Sequence, residues 1–551
     1  MTAAPDLVVA GRIATLAGDS GPGWAGAIAV RGGRVVASGS QADVEALAGG
    51  RTRHVRLAPD EVAVPGLTDA HLHLASAAMA RRAVDLAGAT TVGELLTRVQ
   101  AFAAANPDRD AWVEGGGWDA DLLGRWPSSD DLESAVPGRR VAVWAHDHHA
   151  LLVSRRALRE AGIDDDRGDP DGGAIRRGAD GRATGVLHET AAQLVAGHVP
   201  AAGEAAIAEA IDMLAAELAG LGIVAVHDPG GLVSSPGLEG PIGAYRALAE
   251  AGRLRLRVHA CVRPEQLGAA IGEGLRSGAP VGPDPQGRLR LGWLKTFADG
   301  TLGSRTAALL EPLEALPGEA PPPNGGYGVW LTPPGELRGQ ARWAAANGIA
   351  TQIHAIGDAA VRAALDVLGD TVGATPLMPR VEHAQLVSRD DVPRFAALGV
   401  AASMQPVHVR SDAAKARRLW GSRGEVQGYA LGAIARSGAI LAAGTDAPVE
   451  PVDPWPGVAC AVTRSAPDWT PGTLPFGPHN ALDVWASLRA WCVGPPVTAG
   501  ERDRGRLTAG QRADLAVLPA SAFEEPVEAG GVLWRARPRL VLMDGEVVAE
   551  R

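Results

Sequence analysis

A few short stretches of this 551-residue chain carry residue types that can do metal chemistry. The first is His71-Leu72-His73, directly after Val64-Pro65-Gly66-Leu67-Thr68-Asp69-Ala70. Side chains at i and i+2 of a strand point to the same side, so two imidazoles at this spacing can grip one ion of the zinc type. Alone the pair is weak, because most such pairs in proteins are surface or core residues. The second is Lys295, inside the apolar run Leu289–Ala298. Burial disfavours an ammonium, lowers its pKa and leaves a nucleophilic amine. Such an amine can take up carbon dioxide as a carbamate, whose two oxygens can bridge two cations. The plainer alternative is a lysine that snorkels to the strand end or pairs with Asp299. His354 closes Thr351-Gln352-Ile353-His354, and His383 closes Arg380-Val381-Glu382-His383. Either alone reads as a structural histidine. Asp446 follows Ile440–Thr445, where a carboxylate can bind a metal and take a proton from water, or simply cap a turn before Pro448.

These residues need a scaffold that brings distant strand ends together. Runs fitting barrel strands occur at Val62–Asp69, Gly222–Asp228, Leu254–Val262, Leu289–Ala298, Gly348–His354, Arg380–His383, Val400–Met404 and Ile440–Thr445. Ala-rich helical stretches such as Glu204–Leu221, Gly335–Asn347 and Ala359–Leu368 separate several of them. Alternating strands and helices in that number predict a closed parallel (β/α)8 barrel, an α/β fold whose chemistry sits at the C-terminal strand ends. The histidines, the lysine and the aspartate fall at or near those ends. The span from about 75 to 200 exceeds an ordinary βα connection and contains its own strands, so it reads as an inserted subdomain suited to setting specificity. Residues 1–60 carry Asp6–Ala17 and a hairpin around Gly32-Gly33. Residues 505–551 carry Ala513–Leu518 and a hairpin around Asp544-Gly545. The two ends are expected to join in one small composite β-sandwich flanking a barrel over 61–500.

Composition excludes several function classes. Hydrophobic residues make up 46% and charged residues 21%, and formal net charge is −11, with no basic stripe for nucleic acid. Cys261, Cys460 and Cys492 are far apart and match neither zinc spacing nor a disulfide framework. With no basic-then-apolar leader and no apolar run long enough for a bilayer, the expectation is a cytoplasmic protein acting on a small molecule, without membrane or nucleic-acid partners. Self-association into a homo-oligomer is left open.

The order His-x-His, Lys, His, His, Asp along successive strands matches the amidohydrolase superfamily. Phe297-Ala298-Asp299-Gly300-Thr301-Leu302-Gly303-Ser304-Arg305-Thr306-Ala307 closely resembles the signature of the amidohydrolase 3 branch, also called YtcJ-like. So do Gln352-Ile353-His354-Ala355-Ile356-Gly357-Asp358, Glu382-His383-Ala384-Gln385, Ser403-Met404-Gln405-Pro406 and Gly444-Thr445-Asp446-Ala447-Pro448-Val449. The resemblance spans nearly the whole chain and includes N-substituted formamide deformylases and related amide hydrolases.

It implies His71, His73, His354, His383 and Asp446 as metal ligands, with Lys295 as a carbamylated one. The cofactor is then a divalent metal, zinc, as one ion or two. The implied reaction is hydrolysis of an amide or related C–N bond in an N-acyl or N-formyl amine by metal-activated water, with Asp446 as proton shuttle. Arg305 is a candidate donor to substrate, or a salt bridge at the barrel mouth. For substrate binding, Trp118-Asp119 resembles the family's Gly-Trp-Asp element, and Gln405 lies in a matched motif. Asp147 and His149 resemble its Asp-Gly-His element, although His148 stands where Gly is usual. The dense His146, His148, His149 group reads first as a polar loop. Two other readings stay open: hydrolysis of an ester, lactone or deaminable ring on the same centre, and a non-catalytic barrel. The last predicts missing ligands, whereas every ligand position is filled.

Overall fold

Short apolar runs set the barrel. Ile223–Asp228, Arg257–Val262 and Ala350–Ala355 are buried at every position, as strands covered on both faces must be. The computed structural model describes residues 4–106, 108–146, 148–170, 173–200, 202–231, 237–314, 323–524 and 526–551. Contacts divide the chain into two units, 1–74 with 212–551, and 75–211.

The larger unit holds an eight-stranded parallel sheet. Its strands, in chain order, are β1 (Leu67–Asp69), β2 (Ile223–Asp228), β3 (Arg257–Val262), β4 (Leu289–Phe297), β5 (Ala350–Ala355), β6 (Arg380–His383), β7 (Ala401–Met404) and β8 (Leu441–Ala443). Each pairs with the next, and the two ends meet through Ala70 N–H donating to the Ala443 carbonyl at 3.0 Å. Asp69 secures the same seam. Its carboxylate accepts from Thr445 Oγ1 at 2.7 Å and from the His71 amide at 3.0 Å. Outward-facing Ile353, Val381 and Ala402 pack on Leu337, Ala341, Val361 and Leu365 of the helices Pro334–Ala346 and Asp358–Gly369. Each fully buried Val, Leu or Ile among them contributes about 1.5–3 kcal/mol. The inward positions are unusual for a barrel in being largely polar: His227, His259, Lys295, Gln352, His354, Arg380 and Glu382 are all buried.

The run Val62–Asp69, expected as one barrel strand, divides at Gly66. Glu61–Pro65 pairs antiparallel with Leu515–Pro519, and only Leu67–Asp69 enters the barrel. Gly66 passes so close to Val224 that a Cβ would stand 2.9 Å from its Cγ2. Around Glu61–Pro65 the chain termini build a second eight-stranded sheet. Its order is Glu546–Glu550, Leu540–Met543, Leu515–Pro519, Glu61–Pro65, Leu7–Ala14, Trp24–Arg31, Arg34–Gly39, with Arg53–Arg56 against Leu7–Ala14. Asp544 and Gly545 both adopt positive φ, 52° and 75°, the backbone a two-residue hairpin turn demands.

The smaller unit, 75–211, runs somewhat past the expected insertion end near 200. Its six-stranded sheet has the order Gly173–Arg177, Ala183–Glu189, Ala150–Val153, Arg140–Ala145, Trp112–Trp118, Val84–Asp85. Among the described residues no helix is long and apolar enough to cross a membrane.

Candidate metal centre

The barrel brings His71, His73, His383 and Asp446 to one place. His71 and His73 lie just beyond the end of β1, His383 ends β6, and Asp446 follows β8. His71 Nε2 is 3.4 Å and His73 Nε2 3.5 Å from Asp446 Oδ1. His383 Nδ1 is 3.9 Å from Asp446 Oδ2. Ligands held at about 2.0–2.2 Å around a tetrahedral zinc are separated by roughly 3.4 Å, so His71, His73 and Oδ1 stand at the spacing of a shared cation. All these side chains are buried.

Backbone geometry makes the convergence. Successive strand residues face opposite sides, so Glu382 and His383 would normally diverge. The φ of 72° at His383 breaks that alternation and lets both serve the barrel mouth. Asp446 also has positive φ, 64°, and its amide donates to the His71 carbonyl at 2.7 Å. Non-glycine residues held in this region store strain that the surrounding structure must offset, a feature common at functional sites.

Electrostatics suit metal binding. Burial lowers the His73 pKa to about 3, and burial with neighbouring His354 pulls His383 well below its ordinary value. Both are therefore neutral, the form that ligates. Burial opposes the Asp446 charge, yet His71 and the hydrogen bond from His408 outweigh it and hold the carboxyl well below the usual range. His71 Nε2 and His383 Nδ1 have no hydrogen-bond partner among the described residues.

Lys295 faces the same interior. Thr296 bonds Gln340 on the outer helix, which places Lys295 inward with Trp293 and Phe297. Its Nζ is buried without a hydrogen-bond partner among the described residues, 4.7 Å from the Phe297 ring centre. Burial lowers its pKa to about 8, against the opposing pull of Glu382. The alternative pairing with Asp299 does not occur. The Asp299 carboxylate instead accepts from the amides of Ala308, Ile356 and Gly357 at 2.8, 3.0 and 2.9 Å.

His354 stands one step away. Its Nε2 faces the Gly300 carbonyl at 3.1 Å, and its ring centre is 4.5 Å from that of His383. Arg305 is half-buried in the turn after β4, with φ 60°. Gln405, after β7, is buried with Oε1 lacking a hydrogen-bond partner among the described residues. Trp118, Asp119 and His149 belong to the smaller unit. Trp118 is buried and its indole N–H donates to the Val143 carbonyl at 2.9 Å. Asp119 caps the helix Ala120–Leu123, and His149 Nδ1 is 2.9 Å from Glu189 Oε1. Asp147 lies outside the described residues.

Sequence reading missed the supports. Glu382 Oε2 is 2.5 Å from His71 Nδ1, and Glu382 Oε1 is 2.9 Å from Arg380 Nε. Arg380 extends the chain inward, donating to Gln352 Oε1 and to His227 Nδ1, with its guanidinium 3.9 Å over Trp293. Arg380 and His71 outweigh the opposing effect of burial and hold the Glu382 pKa down to about 2. His408 was also missed; its Nε2 is 3.2 Å from Asp446 Oδ2 and its Nδ1 3.6 Å from Glu450 Oε1. Burial works against a charge on His408, but the bonds to Asp446 and Glu450 prevail and push its pKa up to about 10. The available signals were the Glu immediately before His383 and the His three residues after Gln405.

The chain is similar to known proteins along most of its length. The amidohydrolase family model matches residues 58–549. The Bacillus subtilis (strain 168) protein YtcJ is 28% identical over 494 residues, covering 89% of each chain. The N-substituted formamide deformylase of Arthrobacter pascens is 25% identical over 546 residues, covering 95% of each. The crystal structure of an uncharacterized metal-dependent hydrolase from Pyrococcus horikoshii OT3 superposes with a TM-score of 0.73 at 26% identity, covering 93% of this chain and 97% of that one. With a match over nearly its full length, the chain belongs to the amidohydrolase family and, by that membership, is a hydrolase.

Proposed function

We propose that this protein is a zinc-dependent hydrolase of an amide or related C–N bond, acting on N-acyl or N-formyl amines. The observation that carries the reading is the meeting of His71, His73 and one Asp446 oxygen at ligand spacing, with the buried Lys295 amine facing the same barrel interior and without a hydrogen-bond partner among the described residues. Neutral imidazoles and a carboxylate are a donor set for zinc. His71, His73 and Asp446 would hold one cation. Carbamylated Lys295, with His354 and His383, would serve a second. The carbamate forms as Nζ bonds the carbon of carbon dioxide and loses a proton, so one neutral amine becomes one anion with two oxygens.

Held by these residues, a divalent cation would supply Lewis-acid chemistry, making water more acidic (towards a pKa of ~7) and a carbonyl more electrophilic. Asp446 accepts a proton from the attacking water on its carboxylate and returns it to the departing nitrogen, which makes an amine rather than an amide anion the leaving group. Arg305 offers a planar pair of donors to substrate oxygen. The C–N preference is supported by the likeness to the formamide deformylase over almost the full length of both chains.

Metal analysis and a substrate panel test the reading. Purified wild-type protein should carry zinc, His73→Ala should lose a clear part of it, and N-formyl or N-acyl amines should be hydrolysed faster than matched esters and lactones. A protein that binds no divalent metal, or a panel in which only esters or lactones turn over, overturns it.

A further inference from the structure

Asp446 presents its two oxygens to different neighbours. Oδ1 faces His71 and His73 at 3.4 and 3.5 Å, while Oδ2 is 3.2 Å from His408 Nε2. The aspartate main chain is held by its amide bond to the His71 carbonyl, but that bond leaves the carboxylate free to turn about its own side-chain torsions. The His408 imidazole, hydrogen-bonded to Oδ2, restrains that rotation, while His383 Nδ1 stands farther off at 3.9 Å.

His408 is itself anchored. It opens the helix His408–Trp420, and its amide donates to the Gln405 carbonyl at 3.1 Å. Its other ring nitrogen faces Glu450 Oε1 at 3.6 Å. Ser411, one turn along the same helix, donates to Glu450 Oε1 at 2.6 Å. The helix is fixed by buried Val409, Ala413 and Trp420. His408, Asp446 and Glu450 are each only 6% exposed, so water does not compete strongly for these contacts.

We propose, on the metal-dependent reading above, that His408 is a positioning residue for Asp446, held by Glu450 and Ser411, that fixes Oδ2 so that Oδ1 is kept with His71 and His73. Nitrogen and oxygen atoms of His383, His408 and Asp446 also lie within 4.8 Å of one another, which offers His408 as a direct ligand instead. The facing carboxylates decide between the two. One stands opposite each ring nitrogen of His408, and Nε2 is hydrogen-bonded to Asp446 Oδ2 at 3.2 Å, whereas His71 Nε2 and His383 Nδ1 have no hydrogen-bond partner among the described residues.

The test uses the full-length protein and zinc alone, with affinity read by competition against a chromophoric chelator and stoichiometry read at saturating zinc. His408→Ala should weaken affinity about ten- to a hundredfold, the usual cost of losing a group that orients a ligand, without lowering the stoichiometry. His408→Gln keeps an N–H near the Nε2 position and should recover most of the affinity. His408→Met fills the volume without a donor and should behave like the alanine variant; should alanine fail to fold, the Gln–Met comparison decides. Loss of a full equivalent of zinc at saturation in both His408→Gln and His408→Met makes His408 a ligand and overturns the proposal. Wild-type affinity in His408→Met overturns it as well. A wild-type chain that takes up no zinc overturns the metal-dependent reading and this inference with it, whereas a zinc-binding wild type matched by its His408 variants sinks this inference alone.

Discussion

Glu382 Oε2 stands 2.5 Å from Nδ1 of His71, with both side chains buried. A carboxylate behind a ligating imidazole fixes its tautomer and orientation and raises its basicity. Glu382→Gln keeps the shape and removes the charge. Its zinc affinity should fall about ten- to a hundredfold in chelator competition, with His71 still in place. Because Arg380 then loses its buried ion-pair partner, the variant should also unfold at lower denaturant. Unchanged affinity would show that His71 does not ligate or does not depend on this support.

Lys295 separates a catalytic role from a structural one. Its amine is buried with no hydrogen-bond partner among the described residues, so replacing it with methionine removes a desolvation cost and keeps the volume. Lys295→Met should therefore melt no lower than wild type in the metal-free state, while bound metal and turnover drop, turnover by about a hundredfold or more. In Lys295→Ala a short carboxylic acid should restore part of the activity by supplying the missing oxygens. A methionine variant that is destabilised yet keeps metal and turnover would return Lys295 to a packing role.

His259 gives the pH dependence a sign. Burial lowers its pKa from 6.5 to about 4, with Glu501 pulling the other way, and burial likewise drives His227 well down. Between about pH 6.5 and 4 the unfolded chain binds the proton that the folded chain refuses. Folding stability contributed by a neutral His259 is present above 6.5 and is lost as pH falls through that window. The slope from one such group approaches about 1.4 kcal/mol per pH unit. Urea midpoints measured from pH 7 to 4.5 should fall steadily in wild type and less steeply in His259→Gln. Parallel curves would mean that His259 takes up its proton equally in the folded and the unfolded chain.

Arg257, at the start of β3, holds the terminal sheet to the barrel. Its guanidinium pairs with Asp514 at 2.9 and 3.2 Å and with Asp544 at 2.7 Å, and the Arg257–Asp514 pair is almost fully buried. Removing one member of a buried pair leaves the other charged and costs about 3–5 kcal/mol. Asp514→Ala should lower the unfolding midpoint by a corresponding amount, while the double variant Arg257→Met/Asp514→Leu should recover part of it. Equal midpoints for Asp514→Ala and wild type would show that Asp544 alone suffices.

Local pattern along the chain settles the elements that depend on near neighbours. Short strand-like runs, several of them separated by Ala-rich helical stretches, made β2 to β8 legible to within a few residues, although β6, Arg-Val-Glu-His, is mostly polar. The Asp544-Gly545 turn was legible because only a positive-φ pair fits there. His71, His73, His383 and Asp446 were nominated by their place at strand ends and by resemblance to a family. What joins those ends depends on contacts between strands that are remote in the chain. The division at Gly66 depends on Val224 and Asp514, which are remote in sequence. Glu382 reaches His71, and His408 reaches Asp446, only once the barrel has closed. The φ of His383, which turns two consecutive residues to one purpose, is set by that closure and leaves no periodic trace. Local patterns record what each residue buries, whereas the partners of a buried polar group come from other strands, and one strand's own sequence does not encode them.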